Sequence, residues 1–278
     1  MPSPEVTVVI PYFNHGRYLG EAVRSAVRQT AGEPRIVVVD DGSTDAESLR
    51  ALEDLPDRVE IVRQDNAGPA AARNAGIRRT DTPYLLMLDA DDRLPEDALA
   101  VLLEALESDP QAGYAYGTMR HFGDWSGEVS FPDFDPFRLL YRGIVGWIGL
   151  LRRRCWEDVG GYDEELGGME DWNLTLAALE RGWHGRKVDH VVLDYRKHDW
   201  SGVERDRARH RELFRRMRAR RPDLYAREVE FARETDLGRA GRIFYRTWWR
   251  YRPLPAKLER WLYGRLLFRG RAGAGESQ

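Results

Sequence analysis

The chain has 278 residues, 42% hydrophobic and 32% charged, with a formal net charge of −3; this is the composition of a soluble globular protein, large enough for one α/β domain or a domain with an appendage. Its longest apolar run, Gly143 to Leu151, is bounded by Arg142 and Arg152 and falls well short of the roughly 20 residues a membrane-spanning helix needs. The start Met1-Pro2-Ser3-Pro4-Glu5 lacks the basic residues and apolar core of a signal peptide, and Cys155, the single cysteine, excludes an intrachain disulfide. A cytoplasmic protein is expected, with Cys155 a small buried hydrophobe rather than a nucleophile, since no activating partner is evident.

The small net charge hides an asymmetry. Ser201 to Gln278 carries 21 Arg/Lys against 10 Asp/Glu, whereas residues 1–200 carry 22 against 36. An acidic body bearing a basic arm for an anionic partner is the expectation.

Strand and helix signals alternate in the first half. Val6 to Ile10 reads as a buried strand, and Pro11-Tyr12-Phe13-Asn14-His15-Gly16 leads into a helix from about Tyr18 to Gln29 with Leu19, Ala22, Val23, Ala26 and Val27 on one face. Ile36 to Val39 is a second strand, ending at Asp40-Asp41-Gly42-Ser43-Thr44-Asp45, where a helix begins; Val59 to Val62 is a third. Gly68-Pro69 opens a helix through Ile77, since Pro at the first helical position gives up an N–H that has no partner anyway. Tyr84 to Leu88 is a fourth strand, followed by a helix from about Glu96 to Glu107. This alternation predicts a mostly parallel sheet that binds ligands beyond the carboxyl ends of its strands. Later signals are less regular: strands over Tyr114–Phe122, Ile148–Leu151 and Val188–Leu193, a helix over Met169–Arg181, and a soft boundary near residues 200–205, beyond which the chain reads as helical and arginine-rich. Only the tail from Ala272 to Gln278 looks disordered.

The fourth strand runs straight into Asp89-Ala90-Asp91-Asp92. Three carboxylates this close repel one another unless a cation neutralises them or they turn to water. A few hard oxygen ligands suit Mg²⁺ or Mn²⁺, held by one or two carboxylates with substrate phosphates completing the shell. The alternative is an acidic turn in which Asp92 caps a helix starting near Pro95-Glu96.

Four segments stand together: Val8-Val9-Ile10-Pro11-Tyr12-Phe13-Asn14, Val37-Val38-Val39-Asp40-Asp41-Gly42-Ser43-Thr44-Asp45, Asn66-Ala67-Gly68-Pro69-Ala70-Ala71-Ala72-Arg73-Asn74-Ala75-Gly76 and Leu88-Asp89-Ala90-Asp91-Asp92. In order and spacing they resemble the nucleotide-sugar-binding half of the family 2 glycosyltransferases of GT-A fold. Gly160-Gly161-Tyr162-Asp163 followed by Glu170-Asp171-Trp172 is similar to the family's acceptor-side glutamate-aspartate motif, and Tyr195-Arg196-Lys197-His198 to its tyrosine-arginine-x-histidine element. The resemblance covers about residues 5–200. It implies a Rossmann-like, mostly parallel sheet flanked by helices, with a catalytic domain over 1–204 (donor half about 1–122, acceptor half about 123–204) and a helical basic extension over 205–278.

The resemblance also implies roles. Pro11, Phe13, Asp41, Arg73, Asp89 and Ala90 fall on the donor side: Phe13 flanks the base, Asp41 accepts a hydrogen bond from it, and Arg73 contacts the nucleotide or braces the carboxylates. Asp91 reaches a Mn²⁺ or Mg²⁺ ion, Asp89 the ribose or a metal-bound water, and His198 the metal or the diphosphate. Asp171 is the catalytic base, with Glu170, Trp172 and Trp147 on the acceptor side. Each has a plain structural alternative: a turn aspartate for Asp41, an ion pair for Arg73, a helix start favoured by the macrodipole for Glu170 and Asp171, and a satisfied or surface histidine for His198.

The implied reaction is inverting transfer of a sugar from a nucleotide-diphosphate donor, UDP-linked first with GDP- or dTDP-linked sugars open, to a glycan or lipid-linked acceptor in cell-surface polysaccharide or other glycan synthesis. A nucleotidyltransferase would show a glycine-rich phosphate loop with a basic residue after the first strand, where this chain has Pro-Tyr-Phe-Asn-His-Gly; a non-catalytic sugar-nucleotide sensor is disfavoured by the presence of Asp171. No Gly-x-Gly-x-x-Gly follows the first strand to suggest redox chemistry. From Arg239 to Arg271 ten Arg/Lys and one acid alternate with aromatic residues. That pattern suits peripheral attachment to an anionic membrane, packing onto the catalytic domain, or a homodimer interface; nucleic acid is disfavoured by the acidic body.

Overall fold

The computed structural model describes residues 5–124, 126–145, 147, 149–197 and 209–250. The apolar runs of the first half, β-branched in all but the last, form strands: β1 (Val6–Tyr12), β2 (Arg35–Asp40), β3 (Val59–Arg63) and β4 (Tyr84–Met87). They are joined by α1 (Gly16–Val27), α2 (Ala46–Glu53) and α3 (Pro69–Arg78). β1 pairs in parallel with both β2 and β4, and β2 in parallel with β3. The connection through α3 returns the chain from β3 to the far side of β1, so the order reverses around β1 and a crevice opens at the carboxyl ends of β1, β2 and β4.

The local chemistry of each boundary is explicit. Asp45 caps α2 by accepting the Ser48 N–H. Gly68, at φ +91°, makes the turn into α3, and Pro69 takes its first position. Gly76 lets α3 lie directly on the sheet, for a Cβ there would come within 2.4 Å of Val9 Cγ1.

After α4 (Ala98–Glu107) the sheet continues with β5 (Ala112–Gly123), β6 (Gly127–Val129), β7 (Leu150–Arg152) and β8 (His184–Lys197), interspersed with α5 (Pro136–Tyr141), α6 (Arg153–Val159) and α7 (Glu170–Glu180). β7 inserts antiparallel between β4 and β5, β6 is antiparallel to β5, and β8 runs parallel to β5. The sheet is therefore mixed but mostly parallel, as expected. The short elements β6, α5 and α6 carry no strong sequence signal.

Side chains alternate across the sheet. Val9, Val37, Val39, Leu85 and Met87 face one core, and Val8, Ile10, Val38, Leu86 and Leu88 the other, against α1 and α4. The first core extends into the C-terminal helices: α8 (His210–Arg220), α9 (Pro222–Ala226), α10 (Glu228–Glu234) and α11 (Arg239–Phe244), which runs into a π-helical turn over Tyr245–Trp249. Leu213, Phe214, Met217, Leu224, Tyr225, Phe231 and Trp249 all belong to it. Residues 251–278, with the rest of the aromatic and basic segment, lie outside the described residues. Among the described residues no helix is long and apolar enough to cross a membrane.

Asp92 does not cap the following helix. α4 begins at Ala98 after Asp97, and the buried Asp92 carboxylate instead accepts the Arg196 N–H at 2.7 Å. Cys155 is fully buried, and burial pushes its thiol up to about 12, so its role is packing.

Candidate active site

A cavity of about 800 Å³ opens at the carboxyl ends of β1, β2 and β4. Pro11, Phe13, Asp41, Arg73, Asp89, Ala90, Asp91, Trp147, Glu170, Asp171 and Trp172 all line it. His198 lies outside the described residues.

The donor-side wall is held by short-range hydrogen bonds. Asn14, in the left-handed region at φ +54°, accepts the Thr44 N–H on Oδ1 at 2.9 Å, and its own N–H donates to Ser43 Oγ at 3.1 Å. The clamp joins the loops after β1 and β2 and presents Phe13, 42% exposed, at the cavity mouth. Asp41 is buried; its carboxylate accepts from Gln64 Nε2 and from the Ala67 and Gly68 N–H groups at 2.7–2.9 Å. Three of roughly four lone-pair sites are thus occupied by the 64–68 loop, so Asp41 shapes the wall and has about one site to offer a ligand.

Arg73 joins the two halves of the cavity. Its buried guanidinium donates from Nη2 to Asp89 Oδ1 at 3.0 Å, and its Nη1 lies 3.7 Å from Asp171 Oδ1. Burial would lower its pKa, but the Asp171 and Asp89 carboxylates outweigh that effect and hold it fully cationic. The next residue, Asn74, staples the helix to the acceptor loop: Nδ2 donates to Tyr162 O and Glu164 Oε1, and Oδ1 accepts from Tyr162 N–H and Trp156 Nε1, at 2.8–3.2 Å. The Tyr162 hydroxyl in turn contacts Asp171 Oδ1 at 3.4 Å.

Asp171 stands at the start of α7. Burial raises its carboxyl above the usual range; Arg73 opposes the rise without cancelling it, and Asp89 adds to it. A carboxylate more basic than normal, braced on one side and open to a cavity, has the properties of a general base. Trp172 and Trp147 are buried, and their indole N–H groups donate at 2.7 Å to Leu139 O and Met87 O. What they offer a ligand is apolar ring surface.

The acidic turn is tied to the end of β8. Arg196 Nε donates to Asp91 O at 2.7 Å and its guanidinium pairs with Glu21, while Arg93 bridges Glu21 and Asp194. Burial, then Asp91 and Asp89, push the Asp92 carboxyl well above its usual range, a sign of crowded negative charge. Among the described residues no set of three or more ligating side chains gathers as a metal cluster. Asp89 and Asp91 are a two-carboxylate set, which fits a hard cation that takes its remaining ligands from water and phosphate.

Several cavity residues had no place in the sequence-based site, among them Arg142, Arg209, His210 and Trp249. Trp249 belongs to the arginine-aromatic segment, which also suited a lipid surface, but it is buried against the acceptor side. Only its position in a long apolar and basic helix pattern marks it, and that pattern does not say which way the ring faces.

A family model described as "Glycosyl transferase family 2" matches residues 7–150. The chain belongs to glycosyl transferase family 2. Among curated relatives, the chondroitin synthase of Escherichia coli is 28% identical over 186 residues, covering 64% of this chain and 27% of that protein. The chain thus spans about a quarter of the length of this curated relative. Among solved structures, S. aureus TarS 1–349 in complex with UDP-GlcNAc superposes with a TM-score of 0.65 at 19% identity, covering 87% of this chain and 70% of that one. The mannosyltransferase PcManGT from Pyrobaculum calidifontis, in complex with GDP-Man and Mn²⁺, gives 0.57 at 22% identity, covering 81% and 69%. These likenesses establish the GT-A fold of this family 2 member.

Proposed function

We propose that the protein is an inverting glycosyltransferase that moves a sugar from a nucleotide-diphosphate sugar to an acceptor hydroxyl in polysaccharide or related glycan synthesis. The observation that carries this reading is the gathering in one cavity of Asp171 with Asp89 and Asp91, joined through Arg73. A UDP-linked sugar is the first choice of donor, and GDP- and dTDP-linked sugars are the alternatives.

Phe13 packs against the base, Asp41 takes a base N–H at its remaining acceptor site, and Pro11 and Ala90 provide close backbone surface. Asp91 and Asp89 would hold a Mg²⁺ or Mn²⁺ ion, with His198 the third expected ligand. When bound, such an ion offsets the negative charge developing on the departing diphosphate. Asp171 takes the proton of the acceptor hydroxyl; the oxygen bonds to the anomeric carbon as the bond to the diphosphate oxygen breaks on the opposite face, and the nucleoside diphosphate leaves. Arg73 keeps Asp171 ionised and aimed, while Glu170, Trp172 and Trp147 shape the acceptor side.

Peripheral attachment to an anionic membrane at its cytoplasmic face is the second part of the proposal. Ile243 and Phe244 are exposed on α11, Phe244 stacks on Trp248, and Arg239 is exposed on the same helix. Apolar and basic groups side by side suit the headgroup region.

The test of the catalytic reading is a nucleotide-sugar panel scored by thermal shift with and without Mn²⁺, followed by transfer assays on Asp171→Asn. That variant should bind donor normally and lose about 10²- to 10⁴-fold in rate, and wild-type product should have the anomeric configuration opposite to that of the donor. A near-normal rate at saturating acceptor would return Asp171 to a structural role.

A further inference from the structure

We infer that Arg142 and Trp249 form a subsite for an anionic group, a carboxylate or a phosphate ester, on the acceptor; the inference rests on the glycosyltransferase reading above. Both residues line the cavity. The Arg142 guanidinium carbon stands over the Trp249 ring, 4.3 Å from its centroid. Arg142 is half-buried, and among the described residues no carboxylate pairs with it. Arg73, which lines the same cavity, is by contrast paired with Asp89 and Asp171. A cation in a low-dielectric cavity without a protein counter-ion is a site for a ligand's negative charge.

The subsite is on the acceptor side. Arg142 follows α5, and its neighbour Gly143 lies against Trp172, where a Cβ would stand 3.4 Å from Trp172 Cβ. Trp172, adjacent to the base Asp171, stacks on His210 at 6.1 Å and 18°, and His210 Nε2–H donates to the Trp249 carbonyl at 2.9 Å. Trp172, His210, Trp249 and Arg142 therefore form one continuous wall next to the base. The aromatic ring holds the guanidinium in place, and its fork of N–H groups can make a bidentate bond to a carboxylate or phosphate. The C-terminal helices thereby contribute to acceptor selection through Trp249. Arg142 is a specificity residue here: it positions the acceptor and moves no proton.

The test measures binding to the full chain saturated with Mn²⁺ and whichever of UDP, GDP or dTDP it binds best. The probes share one ring: methyl β-D-glucoside, the corresponding methyl glucuronide, and methyl β-D-glucoside 6-phosphate. At least one anionic probe should bind about tenfold more tightly than the neutral ring, the lower end for a hydrogen bond to a charged group, and which one it is separates a carboxylate acceptor from a phosphate acceptor. Arg142→Gln should erase the preference, and Arg142→Lys should keep part of it, both with unchanged nucleotide affinity and melting temperature. Equal binding of all three probes, no binding of any, or a preference that survives Arg142→Gln would overturn the subsite while intact nucleotide binding left the donor reading standing. Failure of the wild type to bind any of the three nucleotides would overturn both.

Discussion

Arg73 Nη1 lies 3.7 Å from Asp171 Oδ1 while Nη2 of the same guanidinium donates to Asp89. One buried cation thus couples the carboxylate assigned to proton abstraction with one assigned to the diphosphate end of the donor. The shared guanidinium holds both in fixed register across the cavity and opposes the rise that burial imposes on the Asp171 carboxyl.

Arg73→Gln tests this coupling. Arg73 lowers the Asp171 pKa against the upward push of burial; without it the carboxyl should rise further, so a higher pH is needed to ionise the base. The acid limb of the rate profile should move to higher pH, and stability should fall by about 1–3 kcal/mol, because Asp171 loses its counter-ion while Asp89, 41% exposed, is screened by water. A pH–kcat/KM series on both proteins decides it; an acid limb that stays in place would show that Arg73 acts on Asp171 through position alone.

Asp91→Ala should abolish metal-dependent binding of the nucleoside diphosphate, and chelation should do the same to the wild type. Calorimetry with UDP, GDP and dTDP in Mn²⁺ is the measurement. Wild-type affinity in the variant would remove Asp91 from the donor site.

Asn74→Ala should destabilise the fold by roughly 2–4 kcal/mol, since it leaves the buried N–H and carbonyl of Tyr162 without their partner. It should also lower the transfer rate, because the loop that carries Tyr162 to Asp171 loses its anchor. Urea unfolding gives the first effect; a loss below 1 kcal/mol would mean that water replaces the side chain.

His121 provides a pH test of stability. Burial, with a smaller contribution from Lys197, holds its pKa down at about 4 from an ordinary 6.5. A depressed histidine stabilises the fold fully above the unfolded value and loses that contribution as pH falls through the folded one. Stability should therefore drop between about pH 6.5 and pH 4, by roughly 3 kcal/mol at most, and His121→Phe should flatten that part of the curve in melts from pH 4 to 8.

Liposome flotation tests the membrane proposal. The full chain should float with anionic vesicles at low salt, and Ile243→Ser with Phe244→Ser should weaken it severalfold. Truncation near residue 238 is a poor substitute, because it strips the buried Trp249 from the core. A protein that does not float at low salt is not a peripheral membrane protein of this kind.

The strands and helices of the first half, the parallel sheet they build and the cavity residues at its edge were legible in the sequence. Their signals are local: short apolar runs of strand length, Gly and Pro at the turns, and polar motifs directly after strand ends, where the topology of an open sheet must place a ligand. Other features were decided by tertiary structure alone. β7 enters antiparallel between β4 and β5 as a three-residue strand with no periodicity of its own. Asn74 meets Tyr162 88 residues away in the chain, and Arg73 takes one carboxylate from the loop after β4 and another from the first turn of α7. Asp92, for which a helix cap was one alternative, is claimed by the Arg196 backbone, and Trp249, from an apolar and basic helix that could equally have faced lipid, turns inward onto Arg142. Composition and spacing say which groups need partners; which partner each receives depends on distances that exist only once the chain has folded.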